Sequence, residues 1–205
     1  VSAAAVLVFF AIFEVVARIA FDDGMNFDIE MWRYAKELKR ISSVPEIGHE
    51  HIPNSSVHLM GVDVTINGKG LRDDDFDYEK QDGVYRILML GDSLTFGWGV
   101  PVGETTSERL ERLLNVNAAD RRYQVVNTGI GNTNTEMQLA YLTNEGYKYS
   151  PDLVVLNYFI NDAETIPRRK GNFLAEWSVA YVYLAGRLDV LMRMVKGGGD
   201  WASYY

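Results

Sequence analysis

A seven-residue run, VYRILML from Val84 to Leu90, stands between Gly83 and Gly91 and is almost wholly apolar on both of its alternating faces. A run of that kind is a strand covered on both sides, and such strands belong to parallel sheets flanked by helices. The order downstream agrees. A glycine turn leads to a helical stretch from Thr106 to Asn115, with Thr105 or Thr106 as N-cap and Glu108 and Glu111 near its positive end. A second strand is expected over Tyr123 to Asn127, a helix over Glu136 to Asn144, and a third strand over Leu153 to Phe159. Strand alternating with helix predicts an α/β domain with right-handed crossovers, whose ligands sit at the carboxyl ends of the strands.

Ahead of this domain, Val1 to Phe13 is an apolar run, about 20 Å long as a helix. It passes through Glu14 and Arg18 into a polar segment. The run is short of the roughly 30 Å of a bilayer core. The expectation is an uncleaved transmembrane helix whose beginning lies upstream of Val1, with a buried soluble helix or a signal peptide as alternatives. Residues 1–20 are read as anchor, 21–82 as connector and 83–205 as the main domain. Within the connector, Ile29 to Ile41 carries helical spacing ended by Ser42, Ser43 and Pro45, and HLMGVDVTI has the alternation of a strand or half a hairpin. His49, His51 and His58 fall in what reads as exposed loop.

Beyond the third strand lies Arg168 to Lys170, and then Leu174, Trp177, Tyr181, Leu184, Leu188, Leu191 and Val195 recur at spacings of three and four, up to Gly197. Core packing is the first expectation for this stripe. A partner helix or a membrane surface is the alternative.

Charge excludes some functions. With 28 acidic against 20 basic residues, a net charge of -8, the chain lacks the clustered cations of a nucleic-acid surface. Cysteine is absent, which removes disulfides, thiolate metal sites and a cysteine nucleophile. No spacing suggests a metal site, and no cofactor is expected.

The turns at the strand ends carry the chemistry. The first reads Gly91-Asp92-Ser93-Leu94-Thr95-Phe96-Gly97. A serine there holds its hydroxyl out at the top of the sheet, beside turn amides able to stabilise an oxyanion. Alone, a serine in a tight turn is more often a helix cap than a catalyst. The second strand ends in VVNTGIGNTNT, placing Gly129, Gly131 and Asn132 where backbone approaches a substrate closely. The third ends in NYFIND, placing Asn161 and Asp162 at the matching position. A side-chain amide beside backbone amides suits a tetrahedral intermediate.

GDSLTFGWGV, VVNTGIGNTNT and FIND resemble the first three sequence blocks of the GDSL/SGNH hydrolases, and INGKGLRD followed by YRILMLGDS is similar to a branch with an N-terminal membrane segment. The likeness runs from about Asn67 to Asp162. It implies a flavodoxin-like three-layer parallel sheet of the SGNH hydrolase type, here incomplete, behind an N-terminal transmembrane helix. Ser93 matches the nucleophile and its amide one oxyanion donor, Asn161 supplies another, and the block-two glycine falls at Gly131 or Asn132. Asp92 and Gly129 are expected to touch substrate. Phe159 stands where the family usually has glycine.

The family also keeps a D-x-x-H block, holding its aspartate and its histidine base, near the end of the domain, and no histidine follows Asp162. The expectation is a chain that continues beyond Tyr205 or leans on other subunits. Two functions follow. One is a membrane-anchored serine esterase or O-acyl hydrolase, extracytoplasmic, acting on acylated polysaccharide or lipid through a Ser93 acyl-enzyme, with an acyltransferase as variant. The other is an inactive SGNH-like subunit of a membrane complex. The bilayer is a partner through residues 1–20 in both.

Overall fold

The structure, a computed structural model, describes residues 2–116, 118, 120–166 and 173–196. In chain order the elements are helices α1 (Ala3–Ala20) and α2 (Phe27–Arg33), strands β1 (Lys39–Ile41), β2 (His49–His51), β3 (Ser56–Leu59), β4 (Val62–Thr65) and β5 (Val84–Gly91), helices α3 (Ser93–Phe96) and α4 (Thr106–Asn115), strand β6 (Arg122–Asn127), helix α5 (Thr135–Asn144), strand β7 (Leu153–Asn157), and helices α6 (Phe173–Trp177) and α7 (Val179–Lys196). They form two compact units. One comprises Val1–Lys36, His58–Gly61 and the segment from Pro167; the other comprises Glu37–Val57 and Val62–Ile166. These boundaries differ from the sequence divisions at residues 20 and 82. Most of the connector belongs to the α/β unit, and the C-terminal helices group with α1.

The α/β unit is built on a parallel three-stranded sheet in the order β6-β5-β7. Its register sets Met89 beside Asn127 and Gly91 beside Asn157, so all three strands end at one rim. Alternation along β5 divides the core. Leu88 and Leu90 pack with Ile47, Leu71, Val126, Ile130, Tyr141 and Tyr149 on one side. Ile87 and Met89 pack with Val125 and with Leu110 and Leu114 of α4 on the other. Thr105, one of the two residues expected as N-cap, caps α4 through its hydroxyl.

Three segments depart from expectation. The helix over Ile29 to Ile41 stops at Arg33, widens into a π-turn over Tyr34–Leu38 and becomes strand β1. Pairing with β2 overrides helical spacing here: Arg40 meets Glu50 at 2.8 Å, and Ile52 N–H donates to the Leu38 carbonyl at 2.8 Å. His49 and His51 therefore lie in a strand, and His51 is buried; only His58, in β3, is exposed, and none is in a loop. The third strand ends at Asn157, because Asn157 Nδ2 donates to Thr95 Oγ1 at 3.1 Å and Phe159 N–H turns to Asp162 Oδ2 at 2.9 Å.

In the other unit α1 spans 18 residues, about 27 Å, with mean hydropathy 2.3 and Leu7, Phe9, Phe10, Ile12 and Ile19 among its exposed side chains. It is long and apolar enough to cross a membrane. Glu14 is used inside the unit: its carboxylate accepts from Ser178 Oγ and from the amides of Val179 and Ala180, and so caps α7. Arg18 pairs with Glu14 at 2.7 Å and donates to the Trp177 carbonyl. Phe21 stacks on Tyr183 at 4.0 Å between centroids. The stripe expected in the core faces outward: Leu174, Trp177, Leu184, Leu188 and Leu191 are exposed. The buried positions are Val179 and Ala180, which meet Ala17, Ile29 and Trp32. Arg168–Lys170, Gly197–Gly199 and the terminal Tyr205 lie outside the described residues, as does the side chain of Val195.

Candidate active site

Strand β5 carries the chain to Gly91, and the next two residues turn it. Asp92, buried, accepts the Leu94 N–H on Oδ1 at 2.9 Å and so caps α3. Its second oxygen has no hydrogen-bond partner among the described residues. Ser93, the first residue of α3, is half-buried, and its hydroxyl makes no hydrogen bond among the described residues. Gly97 closes the turn with φ +84, a conformation open to glycine.

Arg72 holds this turn from beneath. Its guanidinium, 1% exposed, donates to the carbonyls of Phe96, Gly97 and Val100 and lies over the Phe96 ring. Its neighbour Asp73 accepts the Asn127 N–H at 2.8 Å, where β6 ends. Burial, and then the nearby Glu108 and Glu111 carboxylates, push the Asp73 carboxyl up to about 7. Asp73, Glu108 and Glu111 line a groove of about 330 Å³ that Ser93 does not reach.

The loop after β6 is packed onto α3. Asn127 Oδ1 accepts the Gly129 N–H, and Ile130 N–H donates to the Gly91 carbonyl at 3.2 Å. A Cβ at Gly129 would come within 2.6 Å of the Thr95 carbonyl carbon, so the close approach that requires glycine is to the chain's own backbone. Asn132, not Gly131, takes the left-handed conformation, with φ 62. Asparagine is the side chain that tolerates this region best after glycine. The Gly131 carbonyl receives His49 Nε2 at 3.1 Å and Lys39 Nζ at 3.2 Å.

The turn after β7 is bonded to the same loop. Asn134 caps α5 through Oδ1 and donates Nδ2 to the Glu164 carbonyl at 3.0 Å. Asp162 is buried, accepting from Phe159 N–H and from Gln138 Nε2. Burial, with Asp92 close by, raises its carboxyl above the usual range. Asn161 has its backbone in the 3₁₀ turn Ile160–Ala163; its side chain lies outside the described residues.

Ser93, Gly129, Gly131, Asn132 and the backbone of Asn161 thus stand on one rim. Asp92 and Gly129, expected to touch substrate, are buried and serve the turn itself. His51 is buried and His49 half-buried, and each ring has one nitrogen bound to a backbone carbonyl. His51 Nδ1 is bound to the Gly70 carbonyl and His49 Nε2 to that of Gly131. Burial first, then nearby cations, hold both down to about 3. From the sequence, Lys39, Arg72 and Asp73 carry no expected role, and His49 is expected in an exposed loop. The only signal for Arg72 and Asp73 was their place in INGKGLRD, and nothing in the letters marks Lys39 or His49.

Comparison with protein-family models finds no match, and comparison with curated proteins finds none either.

Proposed function

We propose that this chain is a membrane-anchored serine esterase of the SGNH hydrolase type, with Ser93 as nucleophile and a flavodoxin-like three-layer sheet as scaffold. The observation that carries the reading is the position of Ser93: first residue of a tight turn at the end of the central strand, its hydroxyl unengaged, with the Asn132 loop and the Ile160–Ala163 turn on the same rim. Ser93 Oγ attacks an ester carbonyl and passes its proton to a base, the C–O bond to the alcohol breaks as the alcohol takes that proton and leaves, and water then hydrolyses the acyl-enzyme. The oxyanion is held by the amides of Ser93 and of Asn132, with the Asn161 side chain as further donor. The left-handed backbone at Asn132 supports it over Gly131 as counterpart of the block-two glycine.

Proton transfer requires a base, and His49 and His51 are kept neutral by burial and face the Gly131 and Gly70 carbonyls. The proposal therefore needs one from a further segment or from a partner subunit. The main domain is extracytoplasmic, periplasmic or at the cell surface, where acylated polysaccharide or lipid is the substrate. Labelling by a fluorophosphonate, abolished in Ser93→Ala, tests this; a complete protein that takes up no label refutes it.

The exposed leucines of α7 favour a second reading, a structural subunit that keeps the fold without the chemistry. Stoichiometric copurification with an integral membrane complex would support it, and a monomer in mild detergent would refute it.

A further inference from the structure

Hairpin β1–β2 pairs Lys39 with His51 and Ile41 with His49, so the alternation of the strands turns Lys39, His49 and His51 toward one face. From that face Lys39 Nζ and His49 Nε2 reach the same acceptor, the Gly131 carbonyl, at 3.2 and 3.1 Å, and stand 3.5 Å from each other. The imidazole donates here, so Nε2 carries its hydrogen. A neutral ring beside the ammonium avoids repulsion between like charges, and burial keeps the ring neutral.

That carbonyl and the Asn132 N–H belong to one peptide unit. The unit is planar and trans, so its C=O and N–H point in opposite directions. Fixing the oxygen against the hairpin therefore fixes the N–H away from it. A cationic donor on the oxygen also polarises the amide and makes its hydrogen a stronger donor. We propose that Lys39 and His49 are a positioning pair, clamping the Gly131–Asn132 peptide from behind so that its N–H is presented, oriented and strengthened, as an anion donor at the Ser93 rim. The donor role rests on the esterase reading; the clamp does not.

The test uses the full chain in mild detergent and two readouts. The first is hydrogen exchange and the ¹⁵N shift of the Asn132 amide; the second is the rate of fluorophosphonate labelling at Ser93. Lys39→Met and His49→Leu are each expected to shift the Asn132 ¹⁵N resonance and to slow its exchange, because the carbonyl of the same peptide loses a polarising donor, and to slow labelling roughly tenfold, the size of one hydrogen bond. Exchange in β5 should not change, and His49→Gln, which keeps an N–H donor, should restore both values. If His49→Leu fails to fold, Lys39→Met with His49→Gln carries the test. An Asn132 amide indifferent to both Lys39→Met and His49→Leu overturns the clamp. Labelling unchanged while the amide responds overturns the donor role. A wild type that takes no label while the amide responds leaves the clamp standing and removes the esterase.

Discussion

Acid should loosen the α/β unit, and His49 and His51 set by how much. Both rings are held near 3 in the folded chain against 6.5 unfolded. Between pH 6 and 5 they are neutral when folded and largely protonated when unfolded, so unfolding takes up close to two protons. Asp73 opposes them: its carboxyl keeps a proton to about 7 when folded and loses it near 3.8 when unfolded, so unfolding releases one. For these three groups the balance is about one proton bound on unfolding, so their joint contribution to stability falls as pH falls, by about 1 kcal/mol over this interval. Variants separate the contributions. In His51→Gln the two remaining groups cancel and the dependence becomes nearly flat, whereas in Asp73→Asn the fall roughly doubles, to about 2 kcal/mol. Urea unfolding in mild detergent at pH 6.0, 5.5 and 5.0, read by hydrogen exchange of β5 peptides, measures all three. A wild type whose stability holds or rises on acidification, with His51→Gln behaving identically, refutes the claim that both rings are held neutral.

Other substitutions probe the supports of the rim. Arg72→Met strands the carbonyls of Phe96, Gly97 and Val100, and should cost about 3 kcal/mol in urea unfolding. Gly129→Ala forces a methyl into the Thr95–Phe96 backbone, and should cost about 2 kcal/mol by the same measurement. Glu14→Ala removes the acceptor for the first amides of α7, a loss of about 1 kcal/mol; limited proteolysis should then cut near Ser178 first.

The sheet was legible because β5 and β7 are apolar runs set between turn residues, β6 follows the same strand-then-turn order, and α4 begins at one of the two caps expected for it. Local pattern failed where distant partners decide. Helical spacing over Tyr34 to Ile41 was real, but the Arg40–Glu50 pair and the ladder to His49–His51 are long-range facts that periodicity does not encode. Gly129 was recognised as a close-approach position and given the wrong neighbour, because a bare Cα signals proximity without saying to what. The α7 stripe was read as core on spacing alone, yet the face that packs is the small Val179–Ala180 edge held by Glu14. In the turns, the serine and its companion loops could be found from their letters. The groups behind them, half-buried Lys39 and His49 and buried Arg72, have no spacing that announces them.

The cap that Glu14 places on α7 joins residues 164 to 166 positions apart. During synthesis, at about 5–20 residues per second, α1 waits on the order of ten seconds or more before its partner helix exists. Through that interval an apolar helix carries an acidic side chain with only Arg18 to answer it. Formation of α1 and completion of its unit are therefore separate events in time, and a chain arrested between them would leave Glu14 without the hydroxyl and amides it binds in the finished fold.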